Sequence, residues 1–237
     1  MANLFSSSIG RKLLMSITGL FLIVFLLVHL TLNSFLLLDG VLGFEEGQMF
    51  NAGAHFMATN PFIKIMEPML AIGFLVHIMY SIGLTIQNIK ARGAARYASG
   101  SKTDDVEWSS KNMFVLGIFV VSFLVVHLAN FWVKMKITGD PLLHQEASFP
   151  FMGAEAHGEN AYALVNTAFQ NIAIVIIYVI GCIALSFHLS HGFWSAFQTI
   201  GWNNTVWLNR LQTISKVVAW FIGLGFCVIA IAQYLFF

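Results

Sequence analysis

Five apolar stretches constrain this chain more than any other feature. Each is near or above the roughly 20 residues that a helix needs to cross a bilayer. They run approximately over 13–38, 66–89, 112–133, 168–194 and 215–237. In hydrocarbon every backbone N–H and C=O must find its partner inside the segment, and stretches of this length do so as helices. Barrel strands would be shorter and would alternate. The expected fold class is all-α integral membrane, with five transmembrane helices in one membrane domain over 1–237. Composition agrees: 58% of the 237 residues are hydrophobic and 10% are charged, where a soluble domain carries about 25% charged residues. The first stretch follows Arg11 and Lys12 and is about 26 residues long. It is too long for the apolar region of a cleavable signal peptide and lacks a small-residue cleavage site.

Basic residues orient the spans. Arg11 and Lys12 precede the first. Lys90, Arg92, Arg96 and Lys102 lie between the second and third, and Arg210 and Lys216 between the fourth and fifth. All three regions share one side, which should be cytoplasmic. The opposite loops carry Asp39, Glu45, Glu46, Asp140, Glu146, Glu155 and Glu159, with Lys64, Lys134 and Lys136 as exceptions. The N-terminus is expected inside and the C-terminus outside. In the first outer segment, FNAGAHFMATNPF has the spacing of a short helix before Pro61, and 138–167 is the longest loop. Trp108, Trp132, Trp194, Trp202 and Trp207 stand near span ends, where tryptophan anchors helices at the interface. A net charge of +1 with no basic stripe excludes nucleic acid as a partner. Cys182 and Cys227 lie in apolar stretches and form no CxxC or CxxCH pattern, so they read as inert buried thiols.

Four of the spans carry one deep histidine each: His29, His77, His127 and His188. An imidazole in hydrocarbon is costly and marks a partner or a cofactor. At about 1.5 Å of rise per residue, His29 lies about 24 Å and His127 about 22 Å above the inner ends of their helices. These two share a level in the outer half. His188 falls in the inner half and His77 near mid-depth, so His77–His188 is the remaining pair and rests on weaker depth grounds. Two facing pairs would hold two haems within a bundle of the first four helices. Small residues would open the slots: Ser16, Thr18 and Gly19 in the first span, Gly73, Ser81 and Gly83 in the second, Gly117 and Ser122 in the third, and Gly181, Ser186 and Gly192 in the fourth. Any one of these is equally at home in ordinary helix packing. His191 follows His188 by three residues and shares its face. It is the alternative ligand, or a propionate contact. Ser16 and Asn33 are further propionate or quinone contacts. His55, His144 and His157 lie in outer loops.

At these residues the chain resembles the cytochrome b-558 membrane subunit of succinate dehydrogenase and fumarate reductase, the succinate:quinone oxidoreductases, of the single-polypeptide, five-helix, di-haem type. The matching segments are GRKLLMSITGLFLIVFLLVHLTLNSF, FNAGAHFMATNPF, FLVHIMYSIGL, the His127 stretch and FHLSHGFWSAFQTIGW. The resemblance implies that His29 and His127 ligate one haem b, distal to the cytoplasm, and that His77 and His188 ligate the proximal one. It implies a flavoprotein and an iron–sulfur subunit as partners in a bacterial cytoplasmic membrane, with quinone, menaquinone in this family, as the electron acceptor. Some fumarate reductases place a glutamate two residues before the fourth-helix histidine as a proton path, but Ser186 stands there in this chain.

No Gly-rich dinucleotide fingerprint and no cysteine set for clusters is present, so dicarboxylate chemistry is not expected on this chain. The reading is a quinone-reactive electron-transfer anchor. A cytochrome b subunit of a hydrogenase or formate dehydrogenase is the alternative in the same class. A transporter with a histidine relay is the rival from another, although internal repeats and broken helices at matching positions are not seen. An outer quinone site would need a proton route, for which Glu67, His55 and Asn33 are the candidates.

Overall fold

The computed structural model describes residues 7–92, 107–202 and 204–237. Arg96 and Lys102, two of the residues used to orient the chain, lie outside them. Five helices are long and apolar enough to cross a membrane, and the chain is a multi-pass membrane protein.

Helix α1 spans Ser8–Leu42, and the Ser7 side chain caps its start by accepting from the Gly10 N–H at 3.0 Å. It ends where Gly43 takes a left-handed conformation, φ 79°, and returns its N–H to the Asp39 carbonyl. At 1.5 Å per residue such a helix is about 50 Å long, well beyond the roughly 30 Å of hydrocarbon. The excess length at its C-terminal end carries a cap of short elements. Helix α2, Gln48–Thr59, is the short helix expected before Pro61. The buried Asp39 carboxylate holds its first turn, accepting from the Gly47 and Met49 N–H groups at 2.8 Å each. Helix α3 is Pro61–Arg92, with Pro61 at its start, where a missing N–H costs nothing.

A single turn, α4 (Trp108–Lys111), precedes α5 (Met113–His127). The third span then continues through two π-helical turns, Leu128–Trp132 and Lys134–Thr138. The segment 138–167, expected as a long loop, is folded. After a 3₁₀ turn at Pro141–His144, strands β1 (Glu146–Phe151) and β2 (Ala154–Glu159) form an antiparallel hairpin. Met152 and Gly153 both have positive φ, 51° and 85°, which suits a two-residue turn of the primed type. Alternate residues Ala147 and Phe149 are buried, so the hairpin is a lid with an apolar underside. The short run gave no period long enough to separate it from loop.

The hairpin packs on α2, and helix α6 (Ala161–Phe169) packs on α2 and on the last helix; α7 (Ile172–Ile200) and α8 (Thr205–Phe236) follow. Asn171 breaks the apolar run and caps α7 by accepting from the Ala173 N–H at 2.9 Å. A polar network ties the short elements of this cap to the ends of the long helices. Asn51 accepts from the Tyr162 N–H at 2.8 Å and donates to Asn160 at 3.2 Å. Gln233, fully buried, donates to the Leu36 carbonyl at 3.0 Å, while Asn166 donates to its side chain at 3.4 Å. The Tyr162 hydroxyl donates to Glu46. Burial first, then that carboxylate, pushes the phenol above its ordinary pKa, so it remains a donor.

Helix α1 packs on α3, α7 and α8, α5 packs on α7, and α3 meets α5 only lightly. The first four spans thus form a ring, with α1 diagonal to α5 and α3 diagonal to α7. Helix α8 lies outside, mainly on α7, along a seam of small residues. Cys182, Ser186 and Ser190 on α7 recur every four residues, as do Ser215, Ala219, Gly223 and Cys227 on α8, and all are buried. Close approach through small side chains is how membrane helices gain packing without a hydrophobic drive. Ser215 completes the seam by donating to the Ser190 carbonyl at 2.6 Å.

Candidate functional site: two histidine pairs across the bundle

The diagonals of the ring bring the four deep histidines together in two pairs. His29 of α1 and His127 of α5 have ring centroids 5.7 Å apart with planes at 88°. His77 of α3 and His188 of α7 stand 6.4 Å apart at 73°. Two imidazoles bound end-on to one metal, through bonds of about 2 Å, place their centroids about 6 Å apart. Both separations suit an iron held between the rings. The donor set points the same way. Among the described residues no group of three or more His, Cys, Asp or Glu side chains could hold a bare metal ion. Two opposed imidazoles are instead the axial set for an iron whose other four ligands come from a porphyrin.

The surroundings of the rings fit such a group. The Nδ1 atoms of His127 and His188 are buried without a hydrogen-bond partner, which for polar atoms in this setting carries a desolvation cost that packing alone does not explain. Glycines of neighbouring helices lie against the His77–His188 pair. A Cβ on Gly19 would stand 3.3 Å from His77 Cε1, and one on Gly117 would stand 3.8 Å from His188 Cε1. Around the His29–His127 pair the walls are aromatic. Phe25 stacks on His29 at 5.3 Å, with Phe226 at 5.5 Å. Phe123, Phe131 and Tyr178 surround His127 at 5.4–6.0 Å. Tyr178 in turn accepts from the Asn130 amide at 3.3 Å, within the π-helical turn that begins just after His127. Such turns concentrate at functional sites because they re-aim the side chains beside them.

The other candidates fall in separate settings. His191 lies edge-on to Trp194 at 4.9 Å, not against a histidine of another helix. Its Nδ1 is also buried without a partner. Asn33 donates to the His29 backbone carbonyl at 2.8 Å and lies 3.4 Å from its Nδ1. Ser16 is buried and donates to the Lys12 carbonyl at 3.0 Å. Glu67, near the N-terminal end of α3, accepts from Trp132 Nε1 at 3.0 Å and pairs with Lys136 at 3.4 Å, bridging the lightly packed α3–α5 side. His55 of α2 is set against Phe149 and Phe151 of β1 at 5.5 and 5.1 Å. An apolar cavity of about 320 Å³ lies close by, between Leu32 and Phe35 of α1, Phe56 of α2 and Phe151. Thr18, read from the sequence only as a small slot residue, lies 3.3 Å from His77 Nδ1. Its separation of 59 residues from His77 hides that contact until the helices are packed.

The fold and the pairs define a class: a mostly helical membrane protein with five spans, one short β-hairpin and two cross-bundle pairs of histidines. Comparison with known proteins gives that class a specific likeness. The chain resembles the succinate dehydrogenase cytochrome b558 subunit of Bacillus subtilis (strain 168), with 23% identity over 204 residues that cover 86% of this chain and 84% of that protein. No family model matches the chain, and no solved structure matches it.

Proposed function

We propose that the chain is the di-haem cytochrome b anchor of a bacterial succinate:quinone oxidoreductase, passing electrons between an iron–sulfur subunit and membrane quinone. The observation that carries this reading is the pair of cross-bundle histidine couples at 5.7 and 6.4 Å. The likeness to the cytochrome b558 subunit supports it across most of the chain. His29 and His127 would hold the outer haem b, and His77 and His188 the inner one. When bound, each iron exchanges one electron without a proton, at a potential set by axial ligands, burial and nearby charge. The chain's own work is to place the rings, exclude water with the Phe25, Phe123, Phe131 and Phe226 walls, and deliver protons where quinone is reduced.

Under this reading the N-terminus is cytoplasmic, a flavoprotein and an iron–sulfur subunit dock on the inner loops, and quinone, with menaquinone as the candidate, reacts near the outer pair. Two of the three outer lysines that interrupt the charge pattern are ion-paired, Lys134 with Asp140 at 3.2 Å and Lys136 with Glu67. On the other side Lys216 pairs with Glu107 at 2.6 Å, and among the described residues Arg11, Lys12, Lys90, Lys111 and Arg210 stand outside ion pairs there against Lys64 here, which supports the orientation. The cavity beside Phe151 and the polar groups Glu67 and His55 are the candidate outer quinone and proton site. A reduced-minus-oxidised spectrum with a pyridine haemochrome assay tests the core of the reading. Two b-type haems per chain are expected, and the absence of a b-type band would overturn it in favour of a histidine-relay transporter.

A further inference from the structure

We propose that Thr18 is a positioning residue for His77, its hydroxyl accepting the Nδ1–H and so fixing the tautomer that leaves Nε2 free to bind iron. The inference rests on the haem reading above. Thr18 has one hydroxyl proton, and two carbonyls of its own helix claim it: Leu14 at 2.8 Å and Met15 at 3.1 Å. What Oγ1 presents to His77 Nδ1, 3.3 Å away, is therefore a lone pair. A bare ring nitrogen there would set two lone pairs against each other, whereas an N–H makes the contact attractive. Gly19 completes the seat. Its missing Cβ lets the α1 backbone come up to the ring edge, where a side-chain carbon would stand 3.3 Å from Cε1.

The other three histidines have no such seat. The Nδ1 atoms of His127 and His188 have no partner. The ring of His29 faces the Asn33 amide, a donor, at 3.4 Å. An imidazole that donates its distal N–H is a more basic ligand at the other nitrogen, and a more basic ligand favours the oxidised iron. Thr18 thus holds the inner couple at a lower potential than the same pair would have without it.

The test is a redox titration, followed in the haem absorbance bands, of the purified membrane complex carrying Thr18→Val or Thr18→Ser. Valine keeps the shape and loses the hydroxyl, whereas serine keeps the hydroxyl. The expected result is an upward shift of the inner midpoint in Thr18→Val, an unmoved outer midpoint, and restoration in Thr18→Ser. Loss of the inner haem from the valine variant alone, with serine retaining both, also supports the assignment, since the hydroxyl is what serine preserves. Unmoved midpoints in Thr18→Val, equal movement of both, or loss of haem from both variants would overturn it. A wild-type complex with fewer than two haems would instead refute the underlying haem reading, and that is seen before any variant is titrated.

Discussion

At the scale of single residues the assignment separates ligands from bystanders. His29 and His127 meet across one diagonal and His77 and His188 across the other, so each pair should fail alone. His127→Ala is expected to lower haem per polypeptide from about two to about one, because the two proposed haem sites share no ligand; pyridine haemochrome counts it, and unchanged content would reject the ligand. His191 shares a helix face with His188 yet is turned to Trp194. His191→Ala should keep both haems while His188→Ala loses the inner one, read by the same assay and by the spectrum of what remains. Ser186 shows how strongly one position can be committed. Its hydroxyl returns to the Cys182 carbonyl at 3.0 Å, and the residue is 1% exposed. It packs on Gly223, so a glutamate at this position would require α8 to move aside.

At the scale of elements, the α7–α8 seam and the α2 cap are the joints most open to test. A Cβ on Gly223 would collide with the Ser186 hydroxyl and come within 2.8 Å of the Cys182 carbonyl oxygen. The second atom is backbone and cannot swing away, so Gly223→Ala forces the helices apart. A cost of about 1–3 kcal/mol is expected from overpacking, seen as a lower midpoint of thermal unfolding in detergent. Ser186→Ala should restore only part of it, since the carbonyl remains. Near the C-terminal end of α1, Asp39 accepts two N–H groups of the α2 start while itself buried. Asp39→Ala leaves both donors without their acceptor, a loss of about 1–2 kcal/mol. Hydrogen exchange at Gly47 and Met49 should accelerate roughly tenfold or more, and unchanged protection would show that the cap holds α2 without Asp39.

At the scale of the whole molecule, the question is where charge moves. If electrons enter from an inner iron–sulfur subunit and quinone takes protons at the outer face, each turnover moves charge through the membrane, at about 2.3 kcal/mol per charge per 100 mV. No internal carboxylate stands at Ser186 to carry a compensating proton. With menaquinone as acceptor, succinate:quinone activity in sealed vesicles is expected to fall when an uncoupler collapses the potential. Indifference to the uncoupler, or normal turnover in a Glu67→Gln, His55→Ala double variant, would remove the outer site. The same orientation predicts that cross-links to the soluble partners come from 1–12, 90–111 and 195–214, regions that lie partly outside the described residues, and not from 138–167.

What the sequence determined by itself was the membrane class, the number of crossings and the four deep histidines, because hydrocarbon imposes local rules. Each segment must be long, apolar and internally hydrogen-bonded, and any imidazole left inside stands out against that background. The shared depth of His29 and His127 followed from helical rise alone, and the structure sets these two rings 5.7 Å apart across the bundle. Depth left His77 and His188 as a remainder; packing brought them together, because the diagonal partners are decided by which helices share a side of the ring. The hairpin over α2, the π-helical turns after His127 and the seat of Thr18 against His77 were not legible in advance. A hairpin of two short strands has no long period to read, and π turns arise without a Pro or Gly to announce them. A contact between residues 59 apart exists only once α1 and α3 are packed side by side. Local chemistry names the groups that hydrocarbon cannot tolerate without a partner, and only tertiary packing decides which partner each one meets.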